Sequence, residues 1–194
     1  MRQNELLQNI SDEDLKKSLL LSQGLFLLIS LLLSLFLFEH FFDWLHYFKF
    51  NIIEIIYYGL IPGLIVVIID IILMSTLPKQ HWDDGGINER MFQNRSIGDI
   101  FFLALIIAIS EELLFRGVIQ TTFGYFIASM IFALVHFRYL KKPVLFLSVL
   151  LLSFYIGFLF EITGSLLVTI TMHFTIDFLL GLMIRFQKWG TVNE

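Results

Sequence analysis

Cysteine is absent from this 194-residue chain, which excludes disulfides and thiolate-bound metals. Charge is scarce: Asp, Glu, Lys and Arg make up 15% of the residues, where a soluble domain carries about 25%. The net charge of −4 comes with no basic face, which excludes nucleic acid as a partner. Internal repeats and low-complexity tracts are missing too. What the chain has in excess is apolar surface. Hydrophobic residues account for 57%, there are 22 phenylalanines, and the mean hydropathy is +0.81. These values imply an all-α, polytopic integral membrane bundle with length for one domain of about six transmembrane helices.

The first 18 residues are polar, and Ser11 with Asp14 in SDEDLKK (11–17) reads as a helix N-cap with a capping acid. The run 19–38 is long enough to cross about 30 Å of hydrocarbon and reads as an uncleaved anchor. Segment 39–51 (EHFFDWLHYFKFN) mixes aromatic and polar residues as an interfacial belt does. Further spans are expected at about 52–73, with a kink at Pro62-Gly63, and at 97–120, 122–138, 143–160 and 165–186. Glu54 and Asp70 fall near the ends of the second span, within reach of the interface. Residues 74–96 form the longest polar loop, in which DDGG (83–86) is turn chemistry. The implied organisation is a cytoplasmic segment 1–18, two spans with interfacial loops over 19–96, a four-helix core over 97–186, and a tail 187–194.

The cations give the orientation. Arg2, Lys16, Lys17, Lys79, Arg90, Arg95, Arg138, Lys141, Lys142, Arg185 and Lys188 fall on one side, eleven of the 13 Lys and Arg residues. Only Lys49 falls on the other, and Arg116 lies within a span. This asymmetry places both termini in the cytoplasm.

The residues that stand out are charged groups within the apolar segments, each costing about 2.5–3.5 kcal/mol at a helix centre. SEELLFRG (110–117) carries Glu111, Glu112 and Arg116. FALVH (132–136) carries His136, and HFTID (173–177) carries His173 and Asp177. Helical spacing pairs Glu112 with Arg116 and His173 with Asp177, leaving Glu111 without a cation on its own helix. Counted at about 1.5 Å per residue from the outer helix ends, Glu111 and His173 lie roughly 14 Å deep, Asp177 roughly 20 Å and His136 roughly 21 Å. Three helices thus bring polar groups to one layer.

Such a layer can be polar glue between helices, and the Glu112–Arg116 pair suits that role. It can also support hydrolysis. A carboxylate can take a proton from water, one imidazole can position that water, and another can donate to an oxyanion. Glu111, His136 and His173 are also the candidate ligands for a divalent metal such as zinc.

EExxxR, then FxxxH, then HxxxN or HxxxD, in that order and on separate spans, resembles the motif set of the CPBP family of intramembrane proteases. That family comprises the type II CAAX prenyl endopeptidases and the bacteriocin-processing or immunity (Abi) proteins. The resemblance covers about 97–186. It implies a glutamate-dependent endopeptidase with catalytic residues Glu111, Glu112, His136, His173 and Asp177, supported by Arg116 and Phe132. Glu111 would be the general base, His136 would position water, and His173 with residue 177 would stabilise the oxyanion. The family's metalloprotease label leaves metal use open. The prenyl proteases have Asn where this chain has Asp177, so Asp177 has three readings: a protonated donor, an orienting group for His173, or a metal ligand. Six spans and short loops resemble the compact bacterial members and argue against a prenylated substrate. The expected partners are membrane lipid and a peptide, and the expected place is the bacterial cell membrane, in bacteriocin maturation or self-immunity. GxGD and HExxH are absent, and Gly164-Ser165 lacks a rhomboid pattern. A non-enzymatic immunity scaffold and a proton-coupled transporter relaying through Glu111 and His136 are the alternatives.

Overall fold

Two serine caps begin the helices that carry the site. Ser11 accepts from the Asp14 N–H at 3.1 Å and donates to the Asp14 carboxylate at 2.7 Å, starting α1 (Asp12–Leu37). Ser96 makes the same pair of bonds with Asp99, at 3.0 and 2.8 Å, and starts α5 (Ile97–Glu112). Each satisfies amide donors that the first helical turn leaves open. The computed structural model describes residues 10–186, so Arg2, Lys188, the first part of the 1–18 segment and the 187–194 tail lie outside the described residues.

Between those helices run α2 (Ile52–Thr76), α3 (Lys79–Trp82) and α4 (Ile87–Phe92). After α5 come α6 (Tyr125–Val135), α7 (Pro143–Thr163) and α8 (Leu166–Phe186). No strand occurs among the described residues. Helices occupy all six expected stretches, and α1, α2, α7 and α8 are long and apolar enough to cross a membrane.

The chain departs from the sequence expectation in five places. The aromatic belt is not wholly peripheral: a 3₁₀ turn, Asp43–Tyr47, folds back so that Trp44, Tyr47 and Phe48 pack against the cluster of Ala108, Leu113 and Phe160. The 74–96 loop contains α3 and α4, because Asp84 accepts from the Ile87 and Asn88 N–H groups after Gly85 and Gly86 turn the chain at positive φ. α2 runs on to Thr76, so Asp70 sits within the helix rather than at its end. α5 continues as a π-helical stretch, Leu113–Gln120, and a last turn, Thr121–Phe123; every residue of that stretch is buried. Finally, α6 has only 11 residues, about 16 Å, and stops at His136 rather than 138. The His136 N–H bonds to the Ala133 carbonyl, and the His136 ring takes the Phe132 carbonyl that a continuing helix would have used, at 2.8 Å.

α8 is the central element, packed along both α5 and α2. The α2 contact is close because it is made through glycines four apart, as in membrane helix pairs generally. A β-carbon at Gly59 would lie 2.9 Å from the Val168 carbonyl oxygen, and one at Gly63 would lie 3.1 Å from that of Met172. At the end where α1 begins, Arg90 pairs with Asp12 at 2.8 Å, Arg95 with Glu13 at 3.4 Å, Lys16 with Asp99 at 3.5 Å and Arg138 with Asp84 at 3.1 Å. Lys49 lies at the other end, where its carbonyl accepts from the Ser165 hydroxyl. Lys16, Arg90, Arg95 and Arg138, four of the cations assigned to one side by sequence, thus gather at one end of the bundle.

Candidate active site

Glu112, at the end of α5, is fully buried. Its Oε2 lies 3.2 Å from Arg116 Nε, as the spacing anticipates. Its Oε1 lies 2.9 Å from His173 Nδ1 on α8. A carboxylate can only accept, so Nδ1 carries the proton that bridges them. The residue is therefore more than half of an ion pair, since it also holds a proton on His173 Nδ1 and sets the direction of the ring. Arg116 is fully buried as well. It donates to the Ser153 carbonyl at 3.2 Å and hydroxyl at 3.3 Å on α7, and its guanidinium lies 5.0 Å from the centre of the Phe132 ring. Phe132 in turn contacts the rings of His136, at 4.9 Å, and His173, at 6.1 Å. The FxxxH phenylalanine is thus the wall against which the guanidinium and both imidazoles rest.

With Nδ1 held, His173 turns Nε2 toward two carboxylates. Glu111 Oε2 lies 4.0 Å away and Asp177 Oδ2 lies 3.5 Å away. Glu111 is buried, whereas the Asp177 side chain is 27% exposed. The other Glu111 oxygen, Oε1, accepts from Gln23 Nε2 on α1 at 3.1 Å. Gln23 is itself fixed, because its Oε1 accepts from the Ser110 hydroxyl at 2.5 Å.

His136 stands apart from this bonded set but faces the same space. Its Nδ1–H donates to the Phe132 carbonyl, which leaves Nε2 as the ring nitrogen outside that bond. Its ring stacks on Tyr139 at 6.1 Å.

Glu111, His136, His173 and Asp177 all line one cavity of about 570 Å³. It runs between α1, α5 and α8, from Leu15, Asn88 and Arg138 at the basic end down to Glu111 and Gln23. A second cavity of about 310 Å³ lies between α2 and α7 and shares His136, Tyr139, His173 and Asp177 with the first. The structure therefore gathers all the sequence-identified residues, with Arg116 and Phe132 behind them as supports. The helices outside the 97–186 segment also reach the site, α1 through Gln23 and α2 through the second cavity. Gln23 and Ser110 were not anticipated. The available signal was one amide within the apolar run 19–38, a polar group that needs a partner away from water.

A metal centre in a protein is built from three or more converging donor side chains. Among the described residues no three His, Asp or Glu side chains are placed to hold one ion. His173 Nδ1 is bonded to Glu112 and His136 Nδ1 to a carbonyl, so each ring could offer a metal only its Nε2. Glu111, His136 and His173 do not converge as a ligand set.

Comparison with known proteins follows the same residues. A family model described as type II CAAX prenyl endopeptidase Rce1-like matches residues 93–179, a range that contains all three motifs. A Bacillus subtilis (strain 168) protein, the uncharacterized protein YpbD, is 46% identical over 154 residues, covering 79% of this chain and 82% of that protein. No solved structure matches.

Proposed function

The chain belongs to the type II CAAX prenyl endopeptidase Rce1-like family, and from that premise we propose that it is an intramembrane peptidase in which Glu111 activates water. The family implies a protease. The observation that carries the finer reading is that His173 is gripped at Nδ1 by Glu112 while its Nε2 faces Glu111 at 4.0 Å, in a cavity that reaches the basic end of the bundle.

Water entering this cavity meets Glu111, which takes its proton, and His136 Nε2, which orients it. The hydroxide adds to the scissile carbonyl. His173, when it carries protons on both nitrogens, donates from Nε2 to the resulting oxyanion, and Asp177, 3.5 Å from that nitrogen, orients it. Collapse breaks the C–N bond, and the proton held by Glu111 passes to the leaving amine. Gln23 keeps Glu111 turned toward the cavity, and Glu112 with Arg116 keeps His173 in place.

Similarity to a Bacillus subtilis protein supports a bacterial cell membrane as the setting. There the reaction would serve maturation of a membrane-associated peptide or self-immunity to a bacteriocin. Cleavage of a library of apolar peptides in proteoliposomes made with H₂¹⁸O tests the reaction class. The reading expects one ¹⁸O in each new carboxyl group. Intact peptides together with flux driven by a pH gradient would favour the transporter instead. Full immunity in cells from both Glu111→Gln and His136→Ala chains would favour the scaffold.

A further inference from the structure

We propose that the cavity between α2 and α7 is a subsite for a cationic side chain of the substrate, with Asp70 as its counter-charge. The inference rests on the peptidase reading for calling the occupant a substrate. It goes beyond that reading by naming the chemistry selected.

Asp70 projects from within α2, six residues before that helix ends at Thr76. It is half-buried and lines the 310 Å³ cavity. No hydrogen bond or ion pair joins it to another described residue. A carboxylate within a membrane helix ordinarily faces a partner, a water-filled cavity or a transported or bound group. Asp70 faces a cavity in which no described residue is bonded to it.

The rest of the cavity says what the partner resembles. Val66 and Leu73 of α2 and Val144, Leu145 and Leu152 of α7 line it, so its walls suit a methylene stem. A lysine or arginine side chain buries such a stem while its charged head reaches an anion. The carboxylate of Asp84, which lines the same space, is already engaged by Arg138 and by the Ile87 and Asn88 N–H groups. Asp177 is beside His173. Lys79 lies on the cavity at the start of α3 and is not bonded to Asp70. Asp83 and Glu89 line the space as well, but no three His, Asp or Glu side chains among the described residues are placed to hold a metal ion, whereas one carboxylate suffices as a counter-charge for an ammonium or guanidinium.

Position links this space to the chemistry. His136, His173 and Asp177 line both cavities. A peptide lying across them would have its reacting carbonyl at the site and a side chain on one flank in the Asp70 cavity. Specificity for a cation follows, because a neutral side chain there leaves a desolvated carboxylate unpaired.

The test uses the full chain in proteoliposomes. The probes are apolar peptides, each with one lysine at a different depth, and a matched set with norleucine in its place. Binding is measured to the Glu111→Gln chain, so turnover is not required, with and without Asp70→Asn. Cleavage by the wild-type chain is measured in parallel. The proposal expects the best lysine peptide to bind roughly tenfold or more tightly than its norleucine match. It expects Asp70→Asn to bring that ratio close to one, and Asp70→Lys to transfer the preference to a glutamate peptide. Equal binding of lysine and norleucine peptides, or an unchanged ratio in Asp70→Asn, overturns the subsite. Preferential binding of lysine peptides that the wild-type chain never cleaves would retain the cationic subsite and overturn the peptidase reading.

Discussion

Glu112 grips His173 across the α5–α8 contact, Oε1 to Nδ1 at 2.9 Å, and its second oxygen is held by Arg116. One buried carboxylate thus ties the packing of the bundle to the aim of the imidazole. Arg116→Ala leaves that carboxylate buried without its cation. The expected loss is about 3–5 kcal/mol of stability, read as a lower melting temperature in detergent and a lower yield. An unchanged melting temperature would show that the pair contributes nothing to the fold.

Gln23 touches Glu111 at the deep end of the 570 Å³ cavity. Gln23→Leu removes the 3.1 Å bond and leaves the Ser110 hydroxyl its bond to the Ile106 carbonyl, so the fold survives. Loss of one such bond to a charged group is worth about 1.5–3 kcal/mol. We expect kcat to fall at least about tenfold with KM little changed. A change confined to KM would place Gln23 in substrate binding instead.

Gly59 leaves no room for a side chain against α8, as the 2.9 Å approach to the Val168 carbonyl shows. Gly59→Leu must push α2 away from the helix that bears His173. Overpacking of this kind costs about 1–3 kcal/mol. Both thermal stability and cleavage should fall. Gly24, which has open space around its α-carbon, should accept alanine with neither effect.

Metal removal separates two mechanisms. Because no three His, Asp or Glu side chains among the described residues are placed to hold one ion, cleavage should persist after dialysis against a chelator. Loss of activity on chelation and its return with zinc would require Glu111, His136 and His173 to rearrange into a ligand set.

The motif residues were legible because helical spacing is a strong constraint. Glu112 and Arg116, four apart, meet at 3.2 Å, and His173 and Asp177, four apart, meet at 3.5 Å. The all-helical membrane architecture was legible from apolar run length. Contacts between distant helices were not. Nothing local to the 22–24 stretch says that Gln23 will find Glu111, 88 positions away, and nothing in FALVH says that the histidine will end its helix by binding the Phe132 carbonyl. The depth estimate for His136 assumed an unbroken helix from residue 122. Asp70 looked interfacial because the apolar run fades near residue 73, while hydrogen bonding carries α2 on to Thr76.

The most direct measurement is the rate of peptide hydrolysis in proteoliposomes by the wild-type chain and by Glu111→Gln, with matched melting temperatures. General-base catalysis is worth roughly 10²–10⁴-fold, and the account predicts a loss in that range for the glutamine chain. Hydrolysis at the wild-type rate by Glu111→Gln would contradict it.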